Sequence, residues 1–375
     1  MDNENEVLCE KIINEINAVF IKDPDLCSFE IIPTILNQNK SPVIHVDHNL
    51  GLESWCAKHV YDFAHKTIIS LKLSNRHLYN NDTIIKYINI ALLINPDVTS
   101  FWHIRRQLIQ KNKLKVHKEF QYSALVLSKK PKSSEAFAYR RWLFSFQSIE
   151  SIDWPMEIGI CDRCADKSSS NYHAWSHRQW VLQKEPQLLK TEIMLTEKFM
   201  RKHISDYSCY QYRQVVLYKL FEVSYYDSDE ITNNLNYIRD LINFYLIDGV
   251  QSAENIVSTL LPGSDLQAMG EDKVKSFLFC CNLAAYDIKF CDDQKNMFGT
   301  RESFENHRRA MLKFIVDHCV KLNSTSDFYQ QPLSKVSKYD YSSNAFLSAL
   351  KKSEGLMGER HRRWCNLFLG FDYAN

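Results

Sequence analysis

One short pattern returns four times between Asn95 and Leu217, and it restricts the possible folds more than any other feature. It reads Phe101-Trp102-His103-Ile104-Arg105-Arg106-Gln107-Leu108, then Phe137-Ala138-Tyr139-Arg140-Arg141-Trp142-Leu143. The third copy is Trp175-Ser176-His177-Arg178-Gln179-Trp180-Val181 and the fourth Tyr210-Gln211-Tyr212-Arg213-Gln214-Val215-Val216. With the first arginine of each as the ruler, Arg105, Arg140, Arg178 and Arg213 lie 35, 38 and 35 residues apart. That is the length of one helical hairpin in a tandem array. Fainter copies stand at His307-Arg308-Arg309 and His361-Arg362-Arg363.

Within each copy an aromatic ring, an arginine and an apolar residue stand at i, i+3 and i+7, one face of an α-helix. These are Trp102/Arg105/Ile109, Phe137/Arg140/Phe144, Trp175/Arg178/Leu182 and Tyr210/Arg213/Leu217. The guanidinium therefore belongs to an apolar stripe, and a buried guanidinium needs acceptors. We expect carbonyls or acidic side chains of the neighbouring repeat to supply them. On this reading Arg105, Arg140, Arg178 and Arg213, with Arg308 and Arg362 in the faint copies, are structural staples between repeats. A phosphate-binding role for each of them is the rival reading.

A chain of 375 residues exceeds one ordinary core, yet no linker rich in Gly, Pro or Ser divides it. A solenoid of about five to seven hairpins reconciles these facts, because each repeat buries its face against its neighbours alone. Nine Gly and nine Pro in this length favour helices over β architecture. With 46 basic and 45 acidic residues, the formal charge of +1 opposes a nucleic-acid partner. Eleven scattered cysteines without disulfide spacing, and no signal peptide, point to a reducing, cytoplasmic location. No apolar run is long enough to insert in a membrane, and the last residues carry no lipidation cysteine.

In chain order, residues 1–80 are expected to form an N-terminal helical cap, with helices over 3–20 and 53–73. Residues 23–50, with Pro24, Pro33, Pro42 and the polar Asn37-Gln38-Asn39-Lys40 turn, read as irregular. Four clear repeats then occupy 81–222. Their second helices start at Asp97, Ser133 or Ser134, Asn171 and Asp206, and their partner helices cover 115–128, 155–166 and 188–202. Residues 223–375 hold degenerate repeats, all within one repeat domain. They include a helix capped by Asp227-Ser228-Asp229 and running to Ile247, and a turn at Pro262-Gly263-Ser264-Asp265. An eroded hairpin is expected over 274–290, a polar mobile insertion over 322–345, and a last helix over 361–369.

The third copy with its preceding residues, Asn171-Tyr172-His173-Ala174-Trp175-Ser176-His177-Arg178-Gln179-Trp180, closely resembles the repeat signature of protein prenyltransferase α subunits. The likeness is strong over 95–217, faint at 304–312 and 359–365, and is nearest to the type III geranylgeranyltransferase branch of that family. The resemblance implies an all-α fold, a right-handed α-α superhelix of hairpins shaped as a crescent. It also implies an α chain of a heterodimeric enzyme that transfers a geranylgeranyl group to a protein cysteine and is inactive alone. The partner would be a prenyltransferase β subunit, of the Rab-type enzyme, which holds the isoprenoid pocket and the zinc. This chain itself is expected to bind no metal or cofactor. By motif position the family's diphosphate lysine falls on Lys132 and its tyrosine on Tyr172, with His173 beside it. Ser134 and Glu135 stand where farnesyltransferase-like chains have a tyrosine and a glutamine, and Ser134, Glu135 and Asn171 are the expected substrate contacts.

The residue types suit the implied chemistry. As the bond to the isoprenoid breaks, charge grows on the diphosphate, and an ammonium, helix N-terminal amides and a hydroxyl stabilise it. Against this, an exposed lysine is ordinarily only solvated, and a histidine at a helix start is ordinarily a satisfied structural group. The glutamine replaced by Glu135 helps hold a peptide carboxylate in that family, and Glu135 would repel one. Ser170 likewise replaces a second lysine. Cys161 and Cys164, followed by His173 and His177, imitate zinc spacing, but the eight-residue gap is short for a finger. Cys209, Cys280 and Cys281 lie in apolar helical contexts and read as packing. The other function class is a non-enzymatic helical-repeat adaptor, which would keep the array and form no heterodimer with a prenyltransferase β subunit.

Overall fold

The computed structural model describes residues 2–34, 39–73, 81–148, 151–227, 235–246, 249–262 and 269–323, together with 346 and 363. Its contacts divide into two compact units, Met1–Glu185 and Pro186–Asn375. The division falls between two hairpins, where an array held by nearest-neighbour contacts is free to divide.

The first unit opens with α1 (Asp2–Lys22) and then departs from the expected irregular stretch. Strands β1 (Ser28–Ile32), β2 (Val43–Val46) and β3 (Asn49–Glu53) form a sheet in the order β1-β3-β2. β2 and β3 pair antiparallel through the two-residue turn Asp47-His48, both at positive φ (45° and 62°). Such a turn matches the twist of its strands. β1 pairs parallel with β3, so Phe29 faces Leu50 across 21 positions of chain, a pairing no local pattern announces. The prolines that suggested irregularity sit outside the strands: Pro33 follows β1 and Pro42 precedes β2. Asn37 and Gln38 lie outside the described residues. Helix α2 (Ser54–Leu73) follows β3 directly, so the N-terminal cap is helical and stranded rather than helical alone.

The hairpins follow as α3 (Asn81–Ile94) with α4 (Thr99–Gln110), α5 (Val116–Lys129) with α6 (Ser134–Leu143), and α7 (Trp154–Lys167) with α8 (Tyr172–Lys184). A 3-10 turn, Phe144–Phe146, extends α6. The first helices α3, α5 and α7 pack in succession, and so do the second helices α4, α6 and α8, giving two layers. Ser133, Asn171 and Asp206 cap their helices as expected. Asp97 does not: α4 is preceded by Val98 without a side-chain cap, and Asp97 pairs with Lys130 instead.

In the second unit α9 (Leu189–Lys202) and α10 (Tyr207–Glu222) continue the series. Helices α11 (Asn236–Tyr245) and α12 (Ala253–Leu260) interrupt it before α13 (Glu271–Phe298) and α14 (Glu302–Asn323) form another hairpin. The eroded hairpin expected over 274–290 is thus the middle of one 28-residue helix. Nine successive residues of α13, Phe277 to Ala285, are buried, which removes the periodicity that marks a surface helix. α11 starts after Leu235 rather than at the expected cap; Asp227 pairs with Lys190, and Ser228 and Asp229 lie outside the described residues. Gly263, Ser264 and Asp265, most of the expected insertion, and His361 and Arg362 also lie outside them.

Candidate functional site

The site starts from the arginines. Arg105, Arg140, Arg178 and Arg213 are each no more than 2% exposed. Each reaches back to the first helix of its own hairpin: Arg105 to Asn89 (2.7 Å), Arg140 to the Phe120 carbonyl (2.6 Å) and Ser123 (2.9 Å), Arg178 to Asp162, and Arg213 to the Ile193 carbonyl (2.6 Å) and Thr196 (2.8 Å). Carboxylates of the next hairpin are clasped with two nitrogens by Arg105 (Glu119, 2.7 and 2.6 Å), Arg140 (Glu157, 2.8 and 2.5 Å) and Arg213 (Asp287, 2.7 and 2.7 Å). The fork of a guanidinium matches the two oxygens of a carboxylate, and the match compensates their removal from water.

Each of these three carboxylates takes a third donor 20 residues further on, and Glu192 accepts from a tyrosine at the same spacing. Tyr139 donates to Glu119 (2.6 Å), His177 to Glu157 (2.6 Å), Tyr212 to Glu192 (2.6 Å) and His307 to Asp287 (3.0 Å). These donors immediately precede Arg140, Arg178, Arg213 and Arg308, so at Tyr139-Arg140 one residue completes the Arg105–Glu119 staple and the next opens the Arg140–Glu157 one. Burial pushes the Glu157 carboxyl up, but the charge and hydrogen bonds of Arg140 and the bond from His177 outweigh it and bring it to about 2. Asp287 reaches about 2 by the same balance with Arg213 and His307. His177 is fully buried, and burial lowers its pKa. Its Nε2 donates to Glu157 while Nδ1 accepts from Arg141 (3.4 Å), the arrangement of a neutral ring. Arg308 repeats the backward reach, to Asp292 (3.0 Å), from a half-buried position.

Asn171, expected as a substrate contact, is fully buried and committed internally. Its Oδ1 caps α8 at the Ala174 amide (3.2 Å), and its Nδ2 donates to the carbonyls of Cys164 (3.1 Å) and Pro131 (2.6 Å). It is therefore a positioning residue. The Pro131 bond ties the turn that carries Lys132 to the start of α8, which carries Tyr172 and His173. Tyr172 is 67% exposed, and its ring meets that of the half-buried His173 edge-on (centroids 5.6 Å apart). Ser134 is exposed and Glu135 half-buried, both in the first turn of α6 behind the buried cap Ser133.

Three lysines precede α6, and two are engaged. Lys129 donates to the Ile94 carbonyl, and Lys130 pairs with Asp97. Lys132 is exposed and no described side chain pairs with it. Cys161 and Cys164 are buried, and burial holds both as protonated thiols, Cys164 pushed up to about 12. With His177 committed to Glu157, no group of three or more His, Cys, Asp or Glu among the described residues is arranged to hold a metal ion. Cys209, Cys280 and Cys281 are buried in helices.

The protein prenyltransferase alpha subunit repeat family matches residues 116–147, 154–185 and 189–220, one hairpin each. The hairpin α3–α4 lies outside these matches, although its Arg105 makes the same contacts. The chain is 31% identical over 369 residues to the Homo sapiens protein prenyltransferase alpha subunit repeat-containing protein 1, covering 90% of this chain and 86% of that one. It is 32% identical over 255 residues to protein 1-B of that name from Xenopus laevis, covering 61% of this chain and 59% of the relative. It thus spans about three-fifths of the length of that relative and of protein 1-A (60%). A more distant likeness, 25% over 150 residues, is to the geranylgeranyl transferase type-2 subunit alpha of Mus musculus, covering 37% of this chain and 26% of that one.

Proposed function

The chain belongs to the protein prenyltransferase alpha subunit repeat family, and from that premise we propose that it is the α subunit of a heterodimeric protein prenyltransferase. The reaction is transfer of a geranylgeranyl group from its diphosphate to a protein cysteine, with a β subunit of the Rab-type enzyme as partner. The acceptor thiol, its zinc and the pocket for the isoprenoid chain belong to that partner. This chain supplies the scaffold and donors for the diphosphate, and is inactive alone.

The observation that supports this reading best is the turn Pro131-Lys132, bound through Asn171 to the start of α8. That bond joins the turn carrying the exposed Lys132 to the helix start carrying the exposed Tyr172 and the half-buried His173. Charge grows on the departing diphosphate, so donors fixed before the reaction stabilise the transition state more than the ground state. Lys132 supplies the charge, Tyr172 a hydroxyl, and His173 a second donor; Ser134 and Glu135 border the same turn. The carboxylate of Glu135 repels the free C-terminus of a short peptide, which favours acceptors docked as folded proteins.

Co-expression with the β subunit, followed by assay with geranylgeranyl diphosphate and a cell extract, tests the reading. A stable heterodimer that transfers the lipid is the expected result. Failure to form it under conditions where authentic α and β chains associate would leave the adaptor reading in its place. Within an active heterodimer, Lys132→Ala lowers kcat about 100- to 1,000-fold, the scale of one lost transition-state donor. Glu135→Gln raises the use of short tetrapeptide acceptors; an unchanged rate would remove the repulsion argument.

A further inference from the structure

A cavity of about 580 Å³ lies in the first unit, apart from the helix starts of the proposed site. Three segments line it. α5 contributes Gln121, Ala124, Leu127 and Ser128, α7 contributes Met156, Ile160, Arg163, Cys164 and Lys167, and the approach to β1 contributes Asp25 to Ser28. The helical residues recur at three and four positions, so one stripe of α5 faces one stripe of α7. Their floor is apolar and buried: Leu26, Leu127, Ile160 and Cys164 are each less than 9% exposed. The volume exists because the stripe is small in the middle, at Ala124, and because the strand segment bridges the two helices without filling the groove between them. At this size it holds a small organic ligand.

The charges at its rim select the ligand. Lys167 is already engaged by Glu30 (2.7 Å) and the Ser128 carbonyl (2.7 Å). Arg163 is not paired with any described carboxylate. Its Nη1 lies 3.7 Å from the point where a side chain on Gly159 would begin, an ordinary contact distance, so the guanidinium lies along α7. Asp25 lines the same cavity, makes no ion pair with Arg163, and opposes multiply charged anions. An exposed guanidinium and an exposed carboxylate in the lining of a cavity whose other walls include buried apolar residues fit a singly charged group with an apolar body.

We propose that this cavity binds an amphiphilic monocarboxylate, its carboxylate paired with Arg163 and its hydrocarbon on Leu26, Leu127 and Ile160. The inference is independent of the prenyltransferase reading. Cys27 supplies a reporter, because it lines the cavity and is the exposed cysteine among those described. The full-length protein is labelled with a thiol reagent at increasing decanoate, and modification of Cys27 is followed by peptide mass mapping. Decanoate slows Cys27 labelling in a saturable way; Arg163→Glu raises the half-protection concentration at least about tenfold, the scale of one charge-assisted pair. Ala124→Leu, which fills the groove while keeping the charge, also removes protection. Circular dichroism verifies that both variants are folded. Equal protection by decylamine, or protection that survives both substitutions, overturns the proposal, as does labelling that decanoate leaves unchanged.

Discussion

At Arg140 a charge sealed from water is matched by Glu157, and the carboxylate by His177. Removing one member leaves the others buried and unmatched, a larger loss than the net contribution of the intact group. Glu157→Gln is therefore expected to lower unfolding free energy by about 3–5 kcal/mol, read by urea denaturation. The titration has a definite sign. Glu157 is held at about 2, below its ordinary value near 4.3, so its contribution is complete above roughly pH 4.3 and is lost as pH falls toward 2. His177 is also lowered, so the unfolded chain takes up its proton first as pH drops below about 6.5. Stability falls from pH 7 to 4, and the part below pH 6.5 is smaller in His177→Gln. The arginines were legible in the sequence from their place on an apolar stripe. Their carboxylates were not: Glu119 and Glu157 follow at 14 and 17 residues, but Asp287 at 74.

Among the elements, helices announce themselves by caps and periodicity, both local. Ser133, Asn171 and Asp206 each accept from an amide two or three residues on. Ser133→Ala is expected to cost about 1 kcal/mol, with melting of the α6 start seen by amide exchange. Asp97 had the right residue type and still does not cap, because Val98 occupies the cap position of α4 and Asp97 stands one residue before it, paired with Lys130. The sheet was missed for a related reason. Its strands are four or five residues long, and β1 is completed by a partner beyond β2. α13 was broken in the reading because its middle, Ser276 to Ala285, is buried all round and loses its amphipathic signal.

At the level of the whole molecule, hairpins that touch mainly their neighbours make stability local. Glu119→Gln is expected to raise amide exchange in α3 to α6 while leaving α13 and α14 protected; uniform loss of protection would contradict nearest-neighbour coupling. The sequence alone determined the hairpin period, the helix starts at Ser133, Asn171 and Asp206, and the sealed arginines, because each is set within a few turns of one chain segment. Only the tertiary structure decided which carboxylate answers each guanidinium, that Asn171 is a brace rather than a contact, and that the first eighty residues include a sheet. Those outcomes depend on pairs of groups distant in sequence, where the energy lies in geometry and burial.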